Sequence, residues 1–218
     1  MSEADQKTYE FLLNMKMLKR VLPANMPMEE GGIFVTCSDG DQFDDAYQHL
    51  AGCCLTHRAW PRICPPNRMG GAIVIPKNSK IREMRGNAYG DDLITDILAL
   101  SRIKKTPFVT LFAHAPCAMA KEAGLSLAEE LYLLALAKKE LKQADAALTE
   151  KELGQDNAEG NIKVACFVHI QRLDGLRKTY FFPVGQWQLI TSRYPVIHGE
   201  QWPPHLSDTV AIDDNSAA

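Results

Sequence analysis

The sequence has no apolar run approaching the ~20 residues that a membrane-spanning helix needs. Its opening stretch, MSEADQKTYEF, lacks the basic flank and apolar core of a secretory leader. These absences set the expectation of a cytoplasmic protein off the membrane. An excess of charge is missing too. The formal net charge is -3 over 218 residues, which gives no general attraction to nucleic acid or anionic lipid. No internal repeat is present. What remains is an ordinary globular balance, 46% hydrophobic and 23% charged, long enough for one domain with a sizeable core and an appendage.

Six cysteines stand at Cys37, Cys53, Cys54, Cys64, Cys117 and Cys166. In a reducing compartment they remain thiols or bind metal.

Phe11, Leu12, Met15, Leu18 and Leu22 recur at helical spacing and predict a helix over about 4–22. Pro23, Pro27 and Gly31-Gly32 then break the pattern. Ile33-Phe34-Val35-Thr36 reads as a buried parallel strand running into the polar loop Cys37-Ser38-Asp39-Gly40-Asp41. Phe43 to Leu50 suits a helix, and Cys53 to Arg68, dense in Cys, Pro and Arg, reads as an irregular insertion. Ala72-Ile73-Val74-Ile75 predicts a second strand, Asp91 to Ser101 an amphipathic helix, and Phe108 to Phe112 a third strand leading into Ala113-His114-Ala115-Pro116-Cys117. Leu125 to Leu148 predicts one long helix, residues 149–160 a polar loop, and Val164 to Ile170 a fourth strand. A turn at Leu173-Asp174-Gly175 returns the chain as a hairpin over Thr179 to Phe182.

Two apolar strands that end in Cys37 and in His114-x-x-Cys117 carry the chemistry. Zinc takes thiolate and imidazole ligands in a tetrahedron, and a catalytic zinc keeps three protein ligands and one open position. Two thiolates and one neutral imidazole would cancel the charge of a divalent ion. An isolated H-x-x-C pair is weak evidence, and a lone cysteine is more often a small buried apolar residue. The position of both segments after strands, with a strand and a helix between them, raises the weight of the metal reading.

These motifs resemble the β-class carbonic anhydrases. Cys37-Ser38-Asp39 resembles the start of their C-x-D-x-R motif, and His114-Ala115-Pro116-Cys117 their H-x-x-C motif. Gly71-Ala72-Ile73-Val74-Ile75-Pro76-Lys77-Asn78-Ser79 is similar to their G-D-L-F-V-x-R-N-A segment, and the stretch from Val164 to Phe182 to their final strand pair. The resemblance implies an α/β fold with a mainly parallel sheet of four to five strands flanked by helices. The chain is read as an N-terminal helical arm (1–30), a zinc domain (31–199) with an insertion at about 42–69, and a loosely held tail (200–218). The resemblance further implies a homodimer or higher even oligomer, with the arm packed on the partner subunit. The cofactor implied is Zn2+ on Cys37, His114 and Cys117. The activity implied is that of a zinc lyase, the reversible hydration of CO2 to bicarbonate by zinc-bound hydroxide, with Asp39 orienting the attacking water.

The chain departs from that pattern at Asp41, which stands where the family has the motif arginine. Two carboxylates so close disfavour joint ionisation. Either Asp39 turns in as a fourth zinc ligand, or Lys77, Arg68, Arg82 or Arg85 replaces the missing cation. Ala113 and Ala118 replace the glycines usual around H-x-x-C, and Cys53, Cys54, His57 and Cys64 arrive with the insertion, at a spacing that matches no zinc pattern. His49, His57 and Tyr89 are proton-shuttle candidates. Two other readings follow from the departures: a related zinc protein acting on another small molecule, and a non-enzymatic one with Asp39 closing the metal site.

Overall fold

The computed structural model describes residues 1–21, 31–55, 62–153, 160–187, 196–197 and 200–201. Helix α1 spans Glu3–Asn14, capped by the Ser2 hydroxyl, which accepts from the Asp5 N–H at 3.1 Å. It stops short of the expected residue 22. Lys16 takes a left-handed φ of 57°, and Lys19 exchanges backbone hydrogen bonds with Phe181 at the sheet edge. Those bonds replace the next helical turn.

Strand β1 (Gly32–Val35) leads into helix α2 (Gly40–Leu55), and the two-residue strand β2 (Ile63–Cys64) follows. The expected irregular insertion is thus corrected. Residues 53–55 extend α2 and Ile63–Cys64 form β2, which pairs parallel to β1, while the rest of its described part, Arg62 and residues 65–68, forms neither helix nor strand. Residues 56–61, including His57 and Trp60, lie outside the described residues.

Ala72 to Ile75 is also corrected. Gly71–Val74 forms a short 3-10 helix, not a strand. Its side chains are buried on all sides, and full burial gives the same unbroken apolar run as a central strand. Helices α3 (Lys80–Arg85) and α4 (Ala88–Lys104) precede strand β3 (Phe108–Ala115), which is longer than expected and includes His114. Then come α5 (Ala118–Glu122), α6 (Leu127–Leu153), β4 (Lys163–Gln171) and β5 (Arg177–Phe181). The predicted turn before β5 is present, with Gly175 at φ 81° and the Leu176 N–H donating to Asp174 Oδ1. Strands β6 (Val196–Ile197) and β7 (Glu200–Gln201) pair with each other in a separate ribbon, and 202–218 lies outside the described residues.

The main sheet has five strands in the order β2-β1-β3-β4-β5, parallel except for β5. This is the mostly parallel α/β sheet that the sequence implied. One face carries a row of rings: Phe34 lies edge-on to Phe112 (4.8 Å between centroids), and Phe112 stacks on Phe167 (4.9 Å). Leu50, Cys53 and Cys54 of α2 cover that row. On the other face Ile33, Val35, Val109, Leu111 and Val168 form the larger core with α1, α4 and α6. Helix α1 lies against α6 of its own chain. Asp5 Oδ1 accepts from the Leu127 N–H, and the Tyr9 and Tyr180 hydroxyls meet at 2.7 Å. Within the chain, the arm thus contacts α6 and β5. Among the described residues no helix is long and apolar enough to cross a membrane.

Candidate metal centre

Strand order fixes where a site can form. From β1 the chain crosses to β2 on one side, and from β3 it crosses to β4 on the other. The neighbouring carboxyl ends of β1 and β3 therefore open a crevice at the point where the winding reverses, the usual ligand position in open α/β sheets. Cys37 lies two residues past β1, His114 is the penultimate residue of β3, and Cys117 lies two residues past it, just ahead of α5.

The sulfurs of Cys37 and Cys117 and a ring nitrogen of His114 all lie within 4.8 Å of one another, and all three residues are buried. It is the one such group of ligating side chains among the described residues. Both ring nitrogens of His114 are buried without a hydrogen-bond partner there. An unsatisfied buried polar atom is costly, and coordination would relieve one of the two. The set of two sulfurs and one imidazole suits a thiophilic transition metal and not calcium or magnesium. These residues could hold a metal ion.

Two backbone features seat Cys37. Arg68 bridges to it in parallel, with the Ser38 N–H donating to the Arg68 carbonyl at 3.2 Å. The Gly70 N–H donates to Cys37 Sγ at 3.2 Å. The hydrogen bond with Cys117, then the His114 ring and the Gly70 N–H, hold the Cys37 thiol well below its ordinary range against the opposing effect of burial. Cys117 is pushed up, first by that shared hydrogen bond and then by burial. The shared hydrogen bond thus favours the anionic form at Cys37 over that at Cys117, and a metal ion would bind both sulfurs as thiolates.

Asp39, half-buried on the same loop, is not part of the ligand group. The Asp41 side chain lies outside the described residues. The candidate replacement cations find other partners. Arg68 pairs with Asp96 at 2.9 Å, and buried Arg82 pairs with Asp91 at 2.6 Å while donating to the Ile75 carbonyl. Arg85 lies over the Tyr89 ring and donates to Met69 Sδ. Lys77 is exposed, and its backbone N–H donates to Glu140. The acids that meet Arg68 and Arg82 both come from α4, whose exposed face runs past them.

The insertion thiols read as packing. Cys53 and Cys54 are buried against the phenylalanine row, and burial pushes Cys54 up to about 11. Among the shuttle candidates, His49 sits on α2 with its ring 6.4 Å from Phe167, and burial lowers its pKa. The Tyr89 hydroxyl accepts from the Met69 N–H at 3.1 Å. His57 lies outside the described residues.

Three residues beside the site carried no sequence signal. His169 stands opposite His114 in the β3–β4 register. Its Nδ1 pairs with Thr179 Oγ1 at 2.8 Å, and its Nε2 lies 3.9 Å from Asp45, which Arg177 holds at 2.9 Å. Burial lowers its pKa to about 4. Gln42 donates to the carbonyl of Pro116, between two of the ligands, and leaves its own Oε1 buried without a partner. Glu130 on α6 is buried with Oε2 unpartnered, and burial, with Asp5 and Cys37 adding to it, holds its carboxyl well above the usual range. The one available clue was chemical: a histidine inside a strand of apolar residues, as at His169, has to find a polar partner across the sheet.

No family model, curated protein or solved structure matches the chain.

Proposed function

We propose that this chain is a β-carbonic anhydrase-like zinc protein that hydrates CO2 reversibly to bicarbonate. The observation that carries the reading is the convergence of Cys37, His114 and Cys117, buried, at the winding reversal of a mostly parallel sheet. Three donors with two sulfurs suit zinc and leave a fourth position for a small ligand. Zinc held there would act as a Lewis acid and bring the ionisation of a water toward neutral pH. Cys37 and Cys117 supply the compensating charge, with the Gly70 N–H holding one sulfur in place. Asp39 is the candidate acceptor that orients the water. The side-chain oxygen of Gln42 is a second acceptor close to Pro116.

A second reading has one observation behind it. Arg68 and Arg82 are committed to Asp96 and Asp91, and Asp41 occupies the place of the motif arginine. With an acid in place of that arginine, Asp39 would turn in as a fourth ligand and close the site, leaving a structural zinc or one for another small substrate.

Zinc content of the purified protein, followed by stopped-flow CO2 hydration, tests both. One zinc per chain with measurable hydration, both lost in Cys117→Ser, supports the enzyme. One zinc with no hydration, and hydration gained in Asp41→Arg, supports the closed site. Protein that takes up no zinc under reducing conditions sinks both readings. Light scattering on the same sample tests the even oligomer that the resemblance implies.

A further inference from the structure

Cys37 lies two residues beyond the end of β1, and Cys117 two beyond the end of β3 and six past Leu111, the residue that pairs with Val35. Their sulfurs lie within 4.8 Å of each other. A disulfide needs about 2.05 Å between sulfurs. Both residues lie beyond the β1–β3 ladder, so closing the gap breaks no β1–β3 hydrogen bond. The other thiols are placed differently. Cys53 and Cys54 are consecutive on α2, so their side chains diverge around the helix. Cys166 is buried on β4 and directs its sulfur at the Leu134 carbonyl of α6.

We propose that Cys37 and Cys117 are also a modification site: in the metal-free chain, hydrogen peroxide joins them in an intramolecular disulfide. One sulfur attacks a peroxide oxygen and the O–O bond breaks, giving a sulfenic acid and releasing the other oxygen as water. The second sulfur then displaces the remaining oxygen as a second water. Two S–H groups and one peroxide become one S–S bond and two waters, with the sulfurs oxidised and the peroxide reduced. A corollary rests on the zinc reading above. Metal and disulfide compete for the same two sulfurs, so bound metal protects the pair and oxidation leaves His114 alone to hold the ion.

The test uses the full chain, reduced, stripped of metal with a chelator, freed of reductant and treated with equimolar hydrogen peroxide. Peptide mass spectrometry should find a cross-link joining the segment with Cys37 to that with Cys117, with the intact mass lower by two hydrogens and restored by dithiothreitol. A Cys53→Ala/Cys54→Ala chain should give the same cross-link. Zinc at saturation should slow its formation at least about tenfold, in proportion to the metal-free fraction. Cross-links joining other cysteines, or sulfinic acid at Cys37 with no cross-link, would overturn the proposal, and neither result depends on a variant folding. A chain that binds zinc but never cross-links loses the modification site and keeps the metal reading. A chain that cross-links but binds no metal does the reverse.

Discussion

Gly71 lies so close to Cys37 that a Cβ built on it would stand 2.5 Å from the Cys37 backbone nitrogen. Its φ of 57° is a conformation that side chains other than glycine's adopt at a cost. The turn that brings the Gly70 N–H to the Cys37 sulfur therefore depends on a residue without a side chain. Gly71→Ala should cost roughly 1–3 kcal/mol and displace Cys37. Zinc affinity by competition with a chromophoric chelator should fall by at least about tenfold, which is 1.4 kcal/mol. Gly124→Ala is the control. It has φ 65° but open space around the added carbon, so it carries the backbone cost and leaves zinc affinity unchanged. Equal zinc affinity in both variants would remove the close approach from the account of the site.

His169 gives the fold a pH dependence of known sign. Burial lowers its pKa from an ordinary 6.5 to about 4, so between those values the unfolded chain binds a proton that the folded chain refuses. Its contribution is complete above pH 6.5 and is lost as pH falls toward 4, a span worth roughly 3 kcal/mol. Glu130 acts in the opposite direction. Its carboxyl is held above the usual range, so the stability it contributes fades as pH rises past 4.5. The difference between wild type and His169→Asn isolates the histidine. Urea unfolding across pH 4–7 should show the advantage of wild type shrinking toward acid. A difference that stays constant with pH would mean that His169 has the same pKa folded and unfolded, and one that grows toward acid would mean that it is charged in the folded protein.

The Tyr9–Tyr180 pair tests whether the arm belongs to its own chain. The hydroxyls meet at 2.7 Å in the buried layer between α1 and β5, and the rings tilt together at 5.9 Å. Tyr9→Phe and Tyr180→Phe each leave a buried hydroxyl alone and should each cost about 1 kcal/mol or more. The double variant should cost less than the two combined, because it removes both orphans. The coupling should also be independent of protein concentration. Strictly additive effects, or a coupling that grows with concentration, would place the contact elsewhere.

The candidate metal ligands were legible because thiol and imidazole residues directly after apolar β runs stand out against the chain. Topology then did what the spacing could not, since the pairing of β1 with β3 brings Cys37 near His114. The segment Ala72 to Ile75 was misread because periodicity disappears when every side is buried, whether the backbone is a strand or a 3-10 turn. β2 escaped notice because two residues, Ile63 and Cys64, carry no pattern. The polar neighbours of the site were hidden for another reason. His169 meets Asp45 and Arg177 only through strand pairing and the packing of α2, contacts that no local spacing encodes. The arginine candidates followed from charge alone, and the structure gives two of them carboxylates on α4.

Arg82 is the clearest of those cases, because it is buried and braces the segment that leads from the candidate site. One guanidinium nitrogen donates to the Ile75 carbonyl at 2.9 Å and another to Asp91 at 2.6 Å. The side chain is 4% exposed, whereas that of Asp91 is 60% exposed. Arg82→Met would strand the Ile75 carbonyl and release a carboxylate that water can solvate, so the expected cost is about 2 kcal/mol and not the larger penalty of a fully buried pair. Asp91→Asn keeps the bond to Ile75 and should cost less than about 1 kcal/mol. The segment that Arg82 braces also carries Gly70 and Gly71, so Arg82→Met should weaken zinc binding while Asp91→Asn should not. Urea midpoints and zinc titrations on the two proteins check both halves. If Arg82→Met unfolds at the wild-type midpoint with zinc affinity intact, the guanidinium supports nothing at the candidate site. Its burial would then be a consequence of the packing of α3 and not a support for the site.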